Sequence, residues 1–450
     1  MRRSASTEAI NYFTRGLELL QALPETPERT QQELMLQMTL GMPLAATKGY
    51  AAPEVERAYA RARELCQQIG ETPQLFPVLW GLCAFYSVRG EGETARGLAE
   101  QLLRLARGTQ DPVLLLEAHL ALGNTLLFLG EFTLARAHLE QSIALYDSQR
   151  HRSQIFLHQG PDPGVFSLSR AAQTLWLLGY PVQALQRNQE AIILARELSH
   201  PWLLAWAIDY TALTYQLCGE RQLSQKKAEA VLALASEQGF VPAVADATML
   251  RGWSLAEQGQ GEEGIVQIRQ GQAVHQAMGT ELARTYSLAL LAEACGKVGQ
   301  VEEGLRALDE ALERIDKNGE RFYEAELYRL KGELLLAQEI KSQKSNGKSQ
   351  KSKITDPRPL TLNPQAEVEA ERCFLKAIEI ARKQQAKSLE LRATMSLARL
   401  WQPQGKHHAA RNTLSEIYNW FTEGFDTKDL QEAKALLAEL SHCVIDSLSD

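Results

Sequence analysis

The chain has 450 residues, with 48 Lys and Arg against 55 Asp and Glu, a formal net charge of −7. This mild acidity argues against broad phosphate-backbone binding, which needs a basic face, and a hydrophobic share of 45% excludes a disordered chain. The cysteines Cys66, Cys83, Cys218, Cys295, Cys373 and Cys443 form no CxxC pair and read as free thiols of a reducing cytosol.

No apolar run follows Met1-Arg2-Arg3-Ser4, as a signal peptide would need. The longest apolar stretch, Trp202 to Ile208, is far short of a membrane span. The expectation is a cytoplasmic protein without a membrane segment.

In chain order, residues 1–26 come first. Ala9, Phe13 and Gly16 have the spacing of the second helix of a hairpin, which places a turn near Ser4 and leaves the stripe Ile10, Phe13, Leu17 and Leu20 without a hairpin partner. Association through this uncapped helix is therefore expected. Residues 27–339 carry a repeat whose ruler is glycine. Gly49, Gly90, Gly130, Gly179, Gly219, Gly259 and Gly299 each follow an apolar helical run, and the last turn is Gly405. The steps from Gly90 to Gly130 and from Gly179 through Gly219 and Gly259 to Gly299 are each forty residues. A glycine ends the first helix of each hairpin because it enters the left-handed conformation cheaply. A small residue stands seven positions before (Cys83, Gly123, Ala172, Ala212, Gly252, Ala292) and usually another five after (Ala95, Ala135, Ala184, Ser224, Gly264, Gly304). Such pairs let two antiparallel helices approach closely. Almost no segment alternates like a strand, so the fold class is all-α, a solenoid of antiparallel helix pairs.

Two departures locate insertions. Gly130 to Gly179 is forty-nine residues, and the surplus falls in 150–164, where Asp162-Pro163 reads as an N-cap and first-turn proline. After the helix Phe322 to Gln338, whose small residue is Gly332, a Lys/Ser-rich stretch at 340–364 reads as a disordered insert within one hairpin. Its cations (Lys341, Lys344, Lys348, Lys351, Lys353, Arg358) lack interleaved aromatics for stacking on nucleic acid, so a solvated tether is expected. The last repeats occupy 365–426 and a capping helix with its tail 427–450.

The spacing in Leu330-Lys331-Gly332-Glu333-Leu334 and in Ala370, Phe374 and Ala377 is similar to that of tetratricopeptide repeats, which implies a right-handed superhelix. Leu175-Trp176-Leu177-Leu178-Gly179-Tyr180-Pro181, Ala386 to Arg392, and Trp420 to Asp426 resemble the C-terminal repeat region of bacterial signalling proteins. In that family an adenylate/guanylate cyclase or kinase domain precedes an AAA- or STAND-type ATPase domain, and the repeats follow. The resemblance covers essentially the whole chain but none of the catalytic part. No GxxxxGK[ST] loop occurs, so ATP hydrolysis does not carry over. What it implies is the repeat fold and a sensing or docking role.

No catalytic, cofactor-binding or metal-ligating set emerges. Gly259-Gln260-Gly261-Glu262-Glu263-Gly264 fits GxGxxG, but a helix precedes it instead of a strand and its glycines fall on the repeat ruler. His407-His408 and His151/His158 have no ligand partners at metal spacing, and His119 with His138 reads as packing within one hairpin. Ser167 and Ser169 start a helix, with no GxSxG elbow. With the first helix of each hairpin lining a concave groove, Trp80, Trp176, Trp206 and Trp253 fall on outward or half-outward positions. Asn124, Gln173, Asp209, Gln216, Asp246, Glu293 and Arg329 share that face. Aromatics flanked by polar groups suit interface anchors; filling of gaps between repeats is the structural alternative. The expected function is non-catalytic recognition of a protein, peptide or ligand. The alternatives are a detached C-terminal part of a cyclase–ATPase and the regulatory region of an ATP-dependent transcription activator, which would need a C-terminal helix-turn-helix that the acidic, apolar end does not offer.

Overall fold

A computed structural model describes residues 2–70, 72–148, 162–349 and 363–446. Among these residues there are helices and no strand. The helices are α1 (Arg2–Gln21), α2 (Pro27–Lys48), α3 (Pro53–Ile69), α4 (Leu75–Val88), α5 (Gly92–Thr109), α6 (Pro112–Phe128), α7 (Phe132–Leu145), α8 (Pro163–Leu177), α9 (Pro181–Glu197), α10 (Pro201–Leu217), α11 (Arg221–Gln238) and α12 (Val241–Glu257). They continue as α13 (Gly261–Ala277), α14 (Arg284–Lys297), α15 (Val301–Asn318), α16 (Glu324–Ser349), α17 (Pro364–Gln384), α18 (Lys387–Trp401), α19 (His407–Tyr418) and α20 (Lys428–Asp446). None is long and apolar enough to cross a membrane.

The sequence starts and stops these helices by ordinary means. Thr26, Asp111 and Asn363 accept hydrogen bonds from the first-turn amides of α2, α6 and α17, each followed by a proline that needs no amide partner. The first helix of a hairpin ends on its ruler glycine. At Gly130 (φ 80°) the amide donates to Leu127 and that of Glu131 to Leu126, which closes the last turn. The small residues then meet across each hairpin. The Cys83 thiol donates to the Ala95 carbonyl, the Ser224 hydroxyl donates to the Ala212 carbonyl, and a Cβ on Gly252 would stand 2.6 Å from the Gly264 carbonyl oxygen.

A second ruler marks the return turns between hairpins. Gly70 and Gln110, and then Ser199, Gly239, Gly279 and Gly319, all have positive φ and are forty residues apart within each set. It was not readable from glycine alone, because Gln110 and Ser199 occupy two of its marks.

Two expectations are corrected. Helix α1 runs unbroken through Ser4, since Arg3-Ser4-Ala5-Ser6 contains no glycine or proline to turn it. Helix α16 continues to Ser349 through the first part of the stretch expected to be disordered at 340–364, because its Lys and Gln are good helix formers and no proline comes before Pro357. Residues 350–362 lie outside the described residues, as do 149–161 with His151 and His158. Asp162 caps α8 as expected, accepting from the Val165 amide at 3.0 Å.

The chain divides into two compact units. The first comprises Met1–Arg170, Ala273–Arg284 and Asn318–Glu320; the second comprises Ala171–Gln272, Thr285–Lys317 and Arg321–Asp450. In the first unit Tyr59 lies between Gly41 and Gly81, neither of which has room for a Cβ beside its ring. The amides of Glu281 and Leu282 donate to the Val88 carbonyl at 2.9 and 3.1 Å.

The first unit also holds a histidine pair. Nδ1 of His119 on α6 lies 2.8 Å from Nδ1 of His138 on α7, so one ring donates and the other accepts. Burial, then His138 and Arg107, lowers His119 to about 4; burial and Arg107 lower His138 as well. The folded pair therefore holds fewer protons than the unfolded chain. Stability from this pair is complete above the ordinary histidine value of 6.5 and is lost as pH falls from there toward about 4. Urea midpoints at pH 7.5 and 5.0 are expected to differ less in His138→Asn than in the wild type. An equal drop in both would remove the pair as the cause.

Candidate functional site

A polar assembly lies inside the second unit, where the first helices of consecutive hairpins face one another. Trp253 on α12 and Glu293 on α14 occupy the same position one repeat apart, and the indole N–H donates to Glu293 Oε2 at 2.7 Å. Lys297, one turn beyond Glu293, pairs with Glu257 at 2.8 Å. On α16, Arg329 donates to both oxygens of Glu326 at 2.7 and 2.9 Å, and it also pairs with Glu333. The Ser396 hydroxyl of α18 donates to the same Glu333 at 2.8 Å. Tyr286 donates its hydroxyl to Gln216 of α10 at 2.8 Å and packs edge-on to Tyr323 at 5.2 Å.

Arg392 of α18 is the hub. Its Nε donates to Asp429 at 2.8 Å, one Nη lies 3.6 Å from Glu326, and the other donates to the Leu217 carbonyl. Its guanidinium stands 5.0 Å above the Trp176 ring, a cation–π arrangement. The electrostatics follow from this packing. Burial favours neutral Glu326, but Arg329 and Arg392 together outweigh it and hold its carboxyl below the usual range. Burial, reinforced by Glu257, raises Glu293 above its ordinary value. Burial pushes the Cys218 thiol up to about 12, and neighbouring Asp429 adds to the shift. The assembly is a set of fixed, charge-assisted hydrogen bonds.

The structure brings together most of the residues expected on the groove face, but not as expected. Trp176 and Trp253 are only 2% and 3% exposed, so neither points outward. Inside the unit Arg392 covers the face of Trp176, and the Trp253 indole N–H is taken by Glu293. Gln173, Asp209 and Gln216 are buried too, whereas Glu293 and Arg329 are half-buried. Trp206 is half-buried in an aromatic ladder on α10, 5.3 Å from Trp202 and 5.2 Å from Tyr210.

Trp80 and Asn124 belong to the first unit. The Trp80 side chain hydrogen-bonds Glu117, whose carboxyl burial and the Asp162 charge push up to about 8. Asn124 lines a shallow cleft with Ser87, Thr125, Phe128, Leu282 and Asn318. Glu326, Arg392, Asp429 and Tyr286 were not anticipated. The forty-residue step from Trp253 to Glu293 was a usable signal; nothing in the repeat spacing marks Arg392. Among the described residues no three metal-ligating side chains gather.

No family model matches the chain. A curated relative from Rhizobium meliloti (strain 1021), named only as an uncharacterized protein, is 21% identical over 329 residues, 73% of this chain and 32% of the relative. The chain thus spans about a third of the length of the curated relative it matches. Among solved structures it is similar to a Rap protein complexed with Competence and Sporulation Factor (TM-score 0.50, 11% identity, 74% of this chain and 99% of that one). It is also similar to the apo form of the quorum sensor NprR from B. thuringiensis (TM-score 0.47, 11% identity, 88% and 99%). A third is the Signal Transduction ATPase with Numerous Domains protein with a tetratricopeptide repeat sensor from Pyrococcus horikoshii (TM-score 0.37, 14% identity, 94% and 66%). With antiparallel hairpins on a forty-residue ruler and this likeness of fold, the chain is a tetratricopeptide-like helical repeat protein.

Proposed function

We propose that the chain is a recognition scaffold that binds a protein or peptide partner and performs no chemistry of its own. The observation that carries this reading is the row of half-buried aromatic and charged side chains on first helices of hairpins in the second unit, Trp206 on α10, Glu293 on α14 and Arg329 on α16. Solenoids use this face for extended ligands. The Rap protein of similar fold is complexed with Competence and Sporulation Factor, which supports the reading by analogy of fold alone. The relative's greater length and the resemblance to cyclase–ATPase proteins support a place as the sensor region of a longer signalling polypeptide.

Affinity capture from the native cytosol tests the reading. Because Trp176 and Trp253 are buried, the informative variant is Trp206→Ala/Glu293→Gln at half-buried positions. Wild type is expected to retain a partner that the double variant binds at least about tenfold more weakly, the scale of a central contact, at unchanged helical circular dichroism. Equal capture by both proteins would move recognition away from this face.

A further inference from the structure

In a helical-repeat stack each hairpin packs on its neighbours. The second unit also joins hairpins far apart in sequence. Glu423, between α19 and α20, accepts from the backbone amides of Val182 (3.0 Å) and Gln183 (3.1 Å) and from the Gln183 side chain (3.0 Å). These are first-turn amides of α9, which the N-cap residue Tyr180 does not cap with its side chain. A carboxylate from 241 residues away therefore occupies the positive end of that helix.

The opposite helix ends are treated in the same way. The Ser388 hydroxyl donates to the Trp176 carbonyl at 2.6 Å, and Arg392 donates to the Leu217 carbonyl, so α18 satisfies the last turns of α8 and α10. Trp420 seats on Gly179, where a Cβ would come within 2.7 Å of its ring, and Lys387 stands 5.7 Å over the same indole. The join is made by side chains on backbone ends, and it encloses a small cavity lined by Trp176, Pro181, Cys218, Ser388, Phe421 and Asp429. The join is as close as a hairpin interior: a Cβ on Gly424 would stand 2.4 Å from Pro181 Cγ, and one on Gly264 would stand 2.4 Å from the Gly252 carbonyl oxygen. Its contacts are separate from those that close each hairpin, so the join can part while every hairpin stays whole.

We infer that this join is a latch: the segment from α18 to the start of α20 releases the turns of α8, α9 and α10 as a body, and release uncovers Trp176, Cys218 and the Arg392 hub. On the recognition function proposed for this face, the latched form withholds this end of it and the released form presents it.

Cys218 reports the latch without any partner. It is 3% exposed at the cavity, as Cys83 and Cys295 are 3% and 0% exposed within hairpins. Full-length protein is treated with iodoacetamide, and the modification rate of each thiol is followed by peptide mass spectrometry. Glu423→Ala removes the charged cap and is expected to raise the Cys218 rate roughly tenfold, the scale of a charge-assisted hydrogen bond, with Cys83 and Cys295 unchanged. Glu423→Gln keeps an acceptor oxygen and is expected to fall between. An unchanged Cys218 rate in both variants overturns the latch. So does a rise shared equally by Cys83 and Cys295 in both, which reports whole-chain unfolding. Neither outcome bears on partner capture, and a failed capture leaves the latch standing.

Discussion

Arg392→Ala is expected to cost the second unit about 3–5 kcal/mol, the scale of breaking a buried ion pair from one side. The guanidinium is the counter-charge of Asp429, a second cation for Glu326, the cap of the Leu217 carbonyl and the lid on Trp176. Its side chain is only 12% exposed, so water does not readily replace it. Removal strands the Asp429 carboxylate and leaves Glu326 to Arg329 alone. Urea unfolding followed by tryptophan fluorescence measures the loss, with Arg392→Lys as the variant that keeps the charge but not the fork of donors. A loss below about 1 kcal/mol, the level of an exposed pair, would show that the hub is ornamental.

The second large effect is steric. Gly252→Ala places a methyl 2.6 Å from the Gly264 carbonyl oxygen and 3.0 Å from the Gln267 and Ile268 side chains. The oxygen belongs to a helix backbone and cannot rotate away, so α12 and α13 must part. Overpacking of this kind costs about 1–3 kcal/mol, although alanine is intrinsically the better helix former by about 1 kcal/mol. Gly97→Ala isolates that intrinsic term. Gly97 lies inside α5, and a methyl group added there would meet nothing within 4 Å. It is expected to gain about 0.5–1 kcal/mol. Opposite signs for the two substitutions, read as shifts of the urea midpoint, verify the close approach; stabilisation by both would refute it.

The hairpins were legible because a single turn geometry recurs. Glycine is the cheap residue for a left-handed helix end, so Gly90 to Gly130 and Gly179 to Gly299 expose the period directly, and pairs such as Ala212 with Ser224 follow from it. The inner face was legible only as a set of candidates. Register places Trp253 and Trp176 on the first helices, but the side chain that covers Trp176 comes from position 392. No periodic pattern encodes a contact across so much sequence. The extent of α16 was misread for a different reason, since a Lys- and Ser-rich composition suits both a solvated helix and a tether. The three stretches that carry the family resemblance, around Trp176 to Pro181, Ala386 to Arg392 and Trp420 to Asp426, are the ones that meet at the latch.

The remote capping of α9 also sets an order of assembly. Each hairpin closes over a few tens of residues and forms fast, because its loop-closure entropy is small. The amides of Val182 and Gln183 instead await a carboxylate 241 and 240 residues downstream. At a synthesis rate of about 5–20 residues per second, the interval is on the order of ten to fifty seconds. Throughout that interval the nascent chain holds folded hairpins without this cap, and hairpins made late in the unit complete the first of it.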